Sequence, residues 1–143
     1  MSGERILIAD DDVNMLQVMS LALKNAGYHV TCAQDGYQAV EYARRDVPDL
    51  ILLDVNMPAG SGFSVKDRVQ RMGELAAIPV LYVTGDTSGE TTLQAVTSGA
   101  HGVIHKPFTP EVLVRTVRSA LGQTPNTGPA EPAPVLSETS TGI

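Results

Sequence analysis

Acidic residues stand directly after two short apolar runs, at positions 6–9 and 50–53: Asp10, Asp11, Asp12 and Asp54. An isolated aspartate in such a place usually caps the helix that follows it. A carboxylate can also act as a nucleophile or as a metal ligand, and several carboxylates brought together repel one another unless a cation joins them. Four acids at two such positions favour this second role, with Asp54 as the candidate nucleophile.

Two other polar residues occupy equivalent positions after apolar runs. Thr84 follows residues 80–83, and Lys106 follows residues 102–105. A hydroxyl group and an ammonium group can hold the oxygens of an anion. Together with a carboxylate nucleophile and a metal ion, they are the groups that phosphoryl transfer needs.

The elements that position these side chains can be predicted from the hydrophobic pattern. Five aliphatic runs are too short for buried helices and predict strands at residues 5–9, 28–33, 50–54, 80–84 and 102–105. Amphipathic stretches predict helices at about residues 13–24, 36–45, 64–74, 91–98 and 110–121. Strand and helix alternate five times, which indicates an α/β domain with a doubly wound parallel sheet and helices on both faces.

The carboxyl ends of the strands in such a sheet meet at one edge, where ligands bind. We therefore expect the acids, Thr84 and Lys106 to converge there. Hard carboxylate oxygens favour Mg²⁺, with Mn²⁺ as a second choice. The sequence thus predicts a metal-dependent site for phosphoryl chemistry at this edge.

Composition limits the other functions that the chain can have. It has 143 residues, a formal net charge of -6 and a single cysteine, Cys32. The charge argues against direct contact with nucleic acid or an anionic membrane, because the longest basic cluster is the pair Arg44 and Arg45. One cysteine excludes an internal disulfide and suits a reducing compartment. No apolar stretch is typical of a signal peptide or membrane span, so we expect a cytoplasmic protein.

The last segment has a different composition from the rest. Residues 123–143 contain four of the nine prolines and no lysine, arginine or aromatic residue. Such a segment buries too little apolar surface to offset the entropy of ordering it. We expect one folded domain at 1–122, followed by a disordered tail or linker at 123–143.

Four short motifs resemble those of the receiver domains of two-component response regulators. They are Ile6-Leu7-Ile8-Ala9-Asp10-Asp11-Asp12, Leu52-Leu53-Asp54-Val55-Asn56-Met57-Pro58, Val83-Thr84-Gly85 and Lys106-Pro107-Phe108. Each motif is weak alone, but four in this order at strand ends are specific. The resemblance implies a flavodoxin-like fold with strand order 2-1-3-4-5, and a phosphoacceptor switch similar to stand-alone chemotaxis regulators.

The resemblance also implies a role for each matching residue. Asp54 would accept a phosphoryl group from a phosphohistidine of a sensor kinase or phosphotransfer protein, with Thr84 and Lys106 binding the phosphoryl oxygens. Mg²⁺ would be held by Asp11 directly, by Asp10 through water, by Asp54 and by the backbone carbonyl of Asn56. The Lys106–Pro107 peptide would be cis.

Two positions refine this expectation. Val103 stands where many receiver domains have an aromatic residue, so signalling through it would need a backbone or loop shift rather than a ring rotation. Asn56 and Asp86 resemble the polar pair that places the attacking water in short-lived chemotaxis-type receivers. We therefore expect the phosphoryl group on Asp54 to be lost quickly.

The expected output is a change in the surface formed by the fourth helix, fifth strand and fifth helix. That change would alter binding of an unidentified downstream protein, dimerisation or phosphorelay, without turnover of an external substrate. The rival hypothesis is a small phosphatase of the haloacid-dehalogenase type, with Asp10 as nucleophile and Asp12 as acid. It is disfavoured because after Asp86 the domain offers only Glu90 and Glu111, neither at a strand end.

Overall fold

The computed structural model describes residues 3–58, 61–86 and 88–123, in which strands and α-helices alternate. The strands are β1 (Arg5–Ala9), β2 (His29–Ala33), β3 (Leu50–Asp54), β4 (Val80–Thr84) and β5 (Gly102–His105). The helices are α1 (Val13–Asn25), α2 (Gly36–Arg45), α3 (Gly62–Gln70), α4 (Glu90–Thr97) and α5 (Pro110–Ala120). Apart from Gln123, the predicted tail at 123–143 lies outside the described residues.

The strands form one parallel sheet in the order β2-β1-β3-β4-β5, which confirms the predicted doubly wound fold. The order reverses between β1 and β3, because the chain passes first to one side of β1 and then to the other. A crevice opens at such a reversal, outside the carboxyl ends of the strands. Asp10 and Asp54 stand at the ends of these two strands.

The core lies on both faces of the sheet, as the near-continuous apolar strands predict. Every residue of β3 is buried. Its alternate side chains belong to two clusters, with Leu50 and Leu52 in one and Ile51 and Leu53 in the other. The strand that carries Asp54 is therefore fixed by packing from both sides, which gives its carboxylate a defined position.

The third helix differs from the prediction of residues 64–74. It runs from Gly62 to Gln70 and is followed by a separate 3₁₀ turn at Gly73–Leu75. It begins earlier because the Ser61 hydroxyl accepts a hydrogen bond from the Ser64 backbone N–H at 3.2 Å, which caps the helix. The chain turns out of the helix at Arg71, before Gly73, whose φ is +21°.

None of the helices in the described ranges combines the length and apolar character that crossing a membrane requires.

Candidate functional site

Three carboxylates meet at the carboxyl ends of β1 and β3. One oxygen from each of Asp10, Asp11 and Asp54 lies within 4.8 Å of the other two. Asp10 is fully buried and Asp54 is 6% exposed, whereas Asp11 is exposed. Carboxylates this close destabilise one another's charged forms unless a cation joins them. The donor set, all hard oxygens in one small volume, fits a divalent cation such as Mg²⁺.

Lys106 brings a fixed positive charge to the same cluster. Its Nζ donates a hydrogen bond to Asp10 Oδ2 at 3.1 Å and lies 3.8 Å from Asp54 Oδ1. The Lys106 backbone N–H donates to the Thr84 carbonyl at 2.8 Å, which joins the ends of β5 and β4. The Lys106–Pro107 peptide is cis, in agreement with the resemblance.

The environment of Asp54 disfavours its charged form. Burial raises the pKa of this carboxyl from 3.8 to about 6, and the charge of Asp10 adds to the rise. Lys106 and the backbone N–H of Asn56, which is 3.4 Å from Asp54 Oδ1, oppose it. The carboxylate of Asp54 is therefore poorly stabilised by the protein alone, and a bound cation would favour its charged form.

Thr84 connects this edge of the sheet to the start of α4. Its side chain is fully buried, and its Oγ1 accepts a hydrogen bond from the Asp86 backbone N–H at 2.9 Å. The Asp86 carboxylate accepts hydrogen bonds from the Thr91 hydroxyl at 2.6 Å and from the Ser88 N–H at 2.8 Å. These bonds hold the pKa of Asp86 below its usual range and orient the carboxylate toward α4.

Asp12 does not join the metal-binding group found among the described residues. Its carboxylate accepts hydrogen bonds from the backbone N–H groups of Asn14 at 3.0 Å and Met15 at 3.3 Å, which caps α1. Its own N–H donates to Asp10 Oδ1 at 2.9 Å. Asp12 thus starts α1 and helps to orient Asp10, which is the ordinary role of an aspartate before a helix.

The sequence analysis missed Gly62, which shapes the backbone of the site. A Cβ at this position would lie 2.6 Å from the Asp54 backbone oxygen, closer than real Cβ atoms come. The Gly62 N–H donates to the Val55 carbonyl at 2.9 Å. The glycine allows α3 to begin directly against the end of β3, so the helix supports the loop that follows Asp54.

The sequence analysis also missed the burial of Lys66, which is 4% exposed in α3. The buried residues of this helix are Gly62, Val65, Lys66 and Val69, which recur at helical spacing. That spacing, i, i+3, i+4 and i+7, marks a buried face and was the available signal. Gly62 sits on the same face.

A comparison with protein families matches residues 6–118 to the response regulator receiver domain. The chain belongs to this family. Among curated proteins, this receiver domain is 39% identical over 120 residues to the DNA-binding dual master transcriptional regulator RpaA of Synechocystis. The alignment covers 84% of this chain and 50% of RpaA. The chain spans about half the length of the first curated relatives it matches.

Solved structures of receiver domains resemble the chain over nearly their whole length. The chemotaxis response regulator CheY4 of Vibrio cholerae aligns with a TM-score of 0.78 and 34% identity, covering 83% of this chain and 99% of that one. The receiver domain of sensor histidine kinase PA1611 from Pseudomonas aeruginosa aligns with a TM-score of 0.78 and 27% identity, over 85% and 100% of the two chains. That structure has magnesium coordinated in its active-site cleft. These matches give no support to the phosphatase hypothesis.

Proposed function

We propose that the domain is a phosphoacceptor switch in which Asp54 accepts a phosphoryl group from a phosphohistidine on a sensor kinase or phosphotransfer protein. One observation carries this proposal. A buried carboxylate at the end of the central strand lies 3.8 Å from a lysine ammonium and beside two further acids. A nucleophile, a cation-binding group and an anion-binding group thus share one crevice.

The proposed step is an in-line displacement at phosphorus. One oxygen of Asp54 forms a bond to phosphorus while the bond to the histidine nitrogen breaks, and the imidazole leaves with that electron pair and takes up a proton. Lys106 and Thr84 would hold the phosphoryl oxygens, Lys106 by charge and Thr84 by its hydroxyl. The Thr84 hydroxyl now accepts from the Asp86 N–H, which leaves its own proton to donate to a phosphoryl oxygen.

Mg²⁺ is the cofactor that we assign to the three acids. Asp10, Asp11, Asp54 and the backbone carbonyl of Asn56 would hold it, with Mn²⁺ as an alternative. When bound, it would neutralise charge on the carboxylates and on the phosphoryl group. The raised pKa of Asp54 supports this assignment, because the carboxylate has a deficit of stabilising charge in the protein alone.

The test is phosphorylation by acetyl phosphate in the presence of Mg²⁺, followed by intact-mass measurement and mapping of the modified residue. We expect one phosphoryl group on the wild type and none on Asp54→Asn. Asp10→Asn should retain Asp54 as the acceptor but react more slowly. Phosphate found on Asp10, or undiminished labelling of Asp54→Asn, would contradict the proposal.

We assign the incoming contact to α1, which begins beside the acids. Its outer side exposes Val18 by 52% and Leu21 by 62%, a large apolar area for a surface helix. The kinase or phosphotransfer protein would cover this area while its phosphohistidine reaches Asp54. Phosphotransfer profiling of Leu21→Glu against the histidine kinases of the host tests this assignment, because reaction with acetyl phosphate should stay normal.

The output is assigned to the surface formed by α4, β5 and α5, which would change partner binding, dimerisation or phosphorelay. Leu93 and Val96 of α4 are 67% and 66% exposed, and Val112 of α5 is 41% exposed. A depression of about 410 Å³ between β5 and α5 is lined in part by Val103, Phe108 and Val112. Val103 itself is 4% exposed, so most of its side chain packs in the core.

Four further assignments complete the proposal. The receiver domain corresponds to residues 1–122 and the segment 123–143 to a tail or linker, in a cytoplasmic protein. We expect no turnover of an external substrate. Direct contact of this domain with nucleic acid is not proposed, because the whole chain has a net charge of -6 and no long basic cluster. The name of RpaA describes a DNA-binding protein, and the match covers half of it.

A further inference from the structure

The carboxyl-terminal end of α4 is attached to α3 by a buried charge. Lys66 is 4% exposed, and its Nζ donates a hydrogen bond to the Ser98 carbonyl at 2.9 Å. Ser98 is the residue that ends α4. The last carbonyls of a helix carry partial negative charge and lack partners within the helix, so an ammonium there is both electrostatically favourable and a true cap.

A lysine in this position is costly, which indicates that it does more than fill space. Its neighbours on the buried face of α3 are Val65 and Val69. Burial lowers the pKa of the Lys66 ammonium, with Asp67 opposing the change. An apolar side chain of similar length would avoid this penalty. The charge therefore stabilises one specific arrangement of α3 and α4 rather than the core in general.

Tyr82 lies in the same region and adds a second polar group to it. Its ring is fully buried and packs on Phe63, with 4.7 Å between the ring centroids. Burial raises the pKa of the Tyr82 phenol to about 12, with the Ser98 side chain opposing the rise. No described residue makes a hydrogen bond of normal geometry to its hydroxyl. Polar groups of α3 and β4 therefore both lie close to the end of α4.

The amino-terminal end of α4 is held by hydrogen bonds from the loop before it rather than by a lysine: the Glu90 N–H donates to Ser88 Oγ at 3.2 Å, and the Thr91 hydroxyl donates to the Asp86 carboxylate at 2.6 Å. The N-cap residue of α4 is Gly89, which has a φ of +90° and no side chain that could cap the helix. Ala95 is the only buried residue of the helix, and it lies in the carboxyl-terminal half. The link to the phosphoacceptor edge enters at this end, because Asp86 is bonded both to Thr91 and, through its N–H, to the Thr84 hydroxyl. A change at Thr84 is therefore felt first at the amino-terminal end of α4.

We propose that Lys66 is a positioning residue that anchors the carboxyl-terminal turn of α4 to α3, so that phosphorylation moves the amino-terminal half of α4 about this fixed end. This inference rests on the proposed function for its trigger. The anchor also connects to the site along α3, because Gly62, one turn before Lys66, packs against the Asp54 backbone. The carboxyl-terminal end of α4 therefore keeps its position relative to β3, while the amino-terminal end of α4 moves with Thr84.

Amide hydrogen exchange, resolved residue by residue by NMR, tests the proposal. The Leu93 N–H, bonded to the Gly89 carbonyl, reports the first turn. The N–H groups of Ser98, Gly99 and Ala100, bonded to carbonyls of α4, report the last turn. In the wild type, phosphorylation should change exchange at Leu93 by about tenfold or more and leave the last-turn amides within about twofold.

Lys66→Met keeps the length of the side chain and removes the ammonium. Without phosphate it should accelerate exchange of the last-turn amides about tenfold or more, and phosphorylation should then change both ends of α4. Arg68→Met, which removes an exposed charge from the same helix, should behave as the wild type.

The outcomes separate this inference from the proposed function. Intact-mass measurement on the same samples shows whether Asp54 was phosphorylated. If it was not, unphosphorylated Lys66→Met can still be compared with the unphosphorylated wild type, and that comparison tests the anchor alone. Equal last-turn exchange in those two proteins would overturn the anchor. The pivot would be overturned if, in the wild type, phosphorylation changed the exchange of the last-turn amides as strongly as that of the Leu93 amide.

Discussion

Replacing Asp54 by Asn should make the metal-free protein more stable, although it removes the central residue of the site. The amide has the shape of the neutral carboxyl and carries no charge. The folded protein raises the pKa of Asp54 from 3.8 to about 6 through burial and the neighbouring Asp10, with Asp11 contributing, against the opposing effect of Lys106. Folding therefore disfavours the ionised form of this group, and the variant avoids that cost.

The sign and size of the effect follow from proton linkage. Below about pH 3.8 Asp54 is neutral in both folded and unfolded chains and costs nothing. As the pH rises from 3.8 to about 6, the unfolded chain releases the proton first, so this group lowers the free energy of unfolding. Above pH 7 this decrease in the free energy of unfolding is complete. It amounts to about 3 kcal/mol at most, because each unit of pKa difference between the folded and unfolded chains is worth about 1.4 kcal/mol. The variant should gain up to that amount.

Urea denaturation in EDTA, at several pH values between 4 and about 8, measures the difference directly. The stability gap between Asp54→Asn and wild type should open across this range and then level off. Asp67→Asn is the matched control, because its carboxylate is 60% exposed and forms a surface ion pair with Arg71, so it should change stability by about 0.5 kcal/mol or less. Saturating Mg²⁺ should stabilise the wild type and close the gap. A variant equal to or less stable than wild type in EDTA at pH 8 would refute the reasoning.

Three other predictions follow from the geometry of the site. Gly62→Ala should lower the free energy of unfolding by about 1–3 kcal/mol and weaken Mg²⁺ binding, because the added Cβ would clash with the Asp54 backbone. Gly85→Ala is the control, because its Cβ would meet no atom within 4 Å and should not destabilise the fold. Urea denaturation and Mg²⁺ titration measure the two effects, and a Gly62→Ala protein with unchanged stability and Mg²⁺ affinity would contradict the packing argument. Lys106→Met should slow phosphorylation by acetyl phosphate about 100-fold, since it removes the ammonium 3.8 Å from the acceptor, and an unchanged rate would exclude its role. Replacing Asn56 by Leu should lengthen the lifetime of the phosphoryl group by up to about 100-fold, measured as loss of phosphate after the donor is removed; an equal lifetime would exclude the expected water-placing role.

The sequence was sufficient for the sheet and for the set of residues at its edge. Strand ends were visible because each buried run stops at a polar residue, and parallel strands end at a common edge. Asp10, Asp54, Thr84 and Lys106 could therefore be placed together without coordinates. Their chemical roles stay predictions, because proximity does not identify the group that reacts.

The sequence was insufficient where one side chain had two plausible partners. Asp12 could have joined the acids, but it caps α1, and Asp86 could have faced the site, but its carboxylate is bonded to Thr91 and to the Ser88 N–H. The start of α3 was also misplaced, because Ser61 caps a helix that begins at Gly62, two residues before the predicted start at residue 64. These choices depend on hydrogen-bond geometry over a few ångströms, which residue type alone does not specify.

The structure narrows the ways in which a phosphoryl group on Asp54 could reach the outer surface. Val103 is buried and β-branched, so it has no large rotation available. The aromatic residue paired with it across the strands is Tyr82, whose ring is fully buried against Phe63. Neither side chain can rotate without opening the core.

A chain of hydrogen bonds offers another connection to the outer surface. It starts at the Thr84 hydroxyl, passes through Asp86 and ends at the first turn of α4. In the proposed pivot, a rotation of the Thr84 side chain toward the phosphate would break its bond to the Asp86 N–H and release the beginning of α4. Lys66 would hold the other end, so that a small change at Thr84 would tilt the exposed residues Leu93 and Val96.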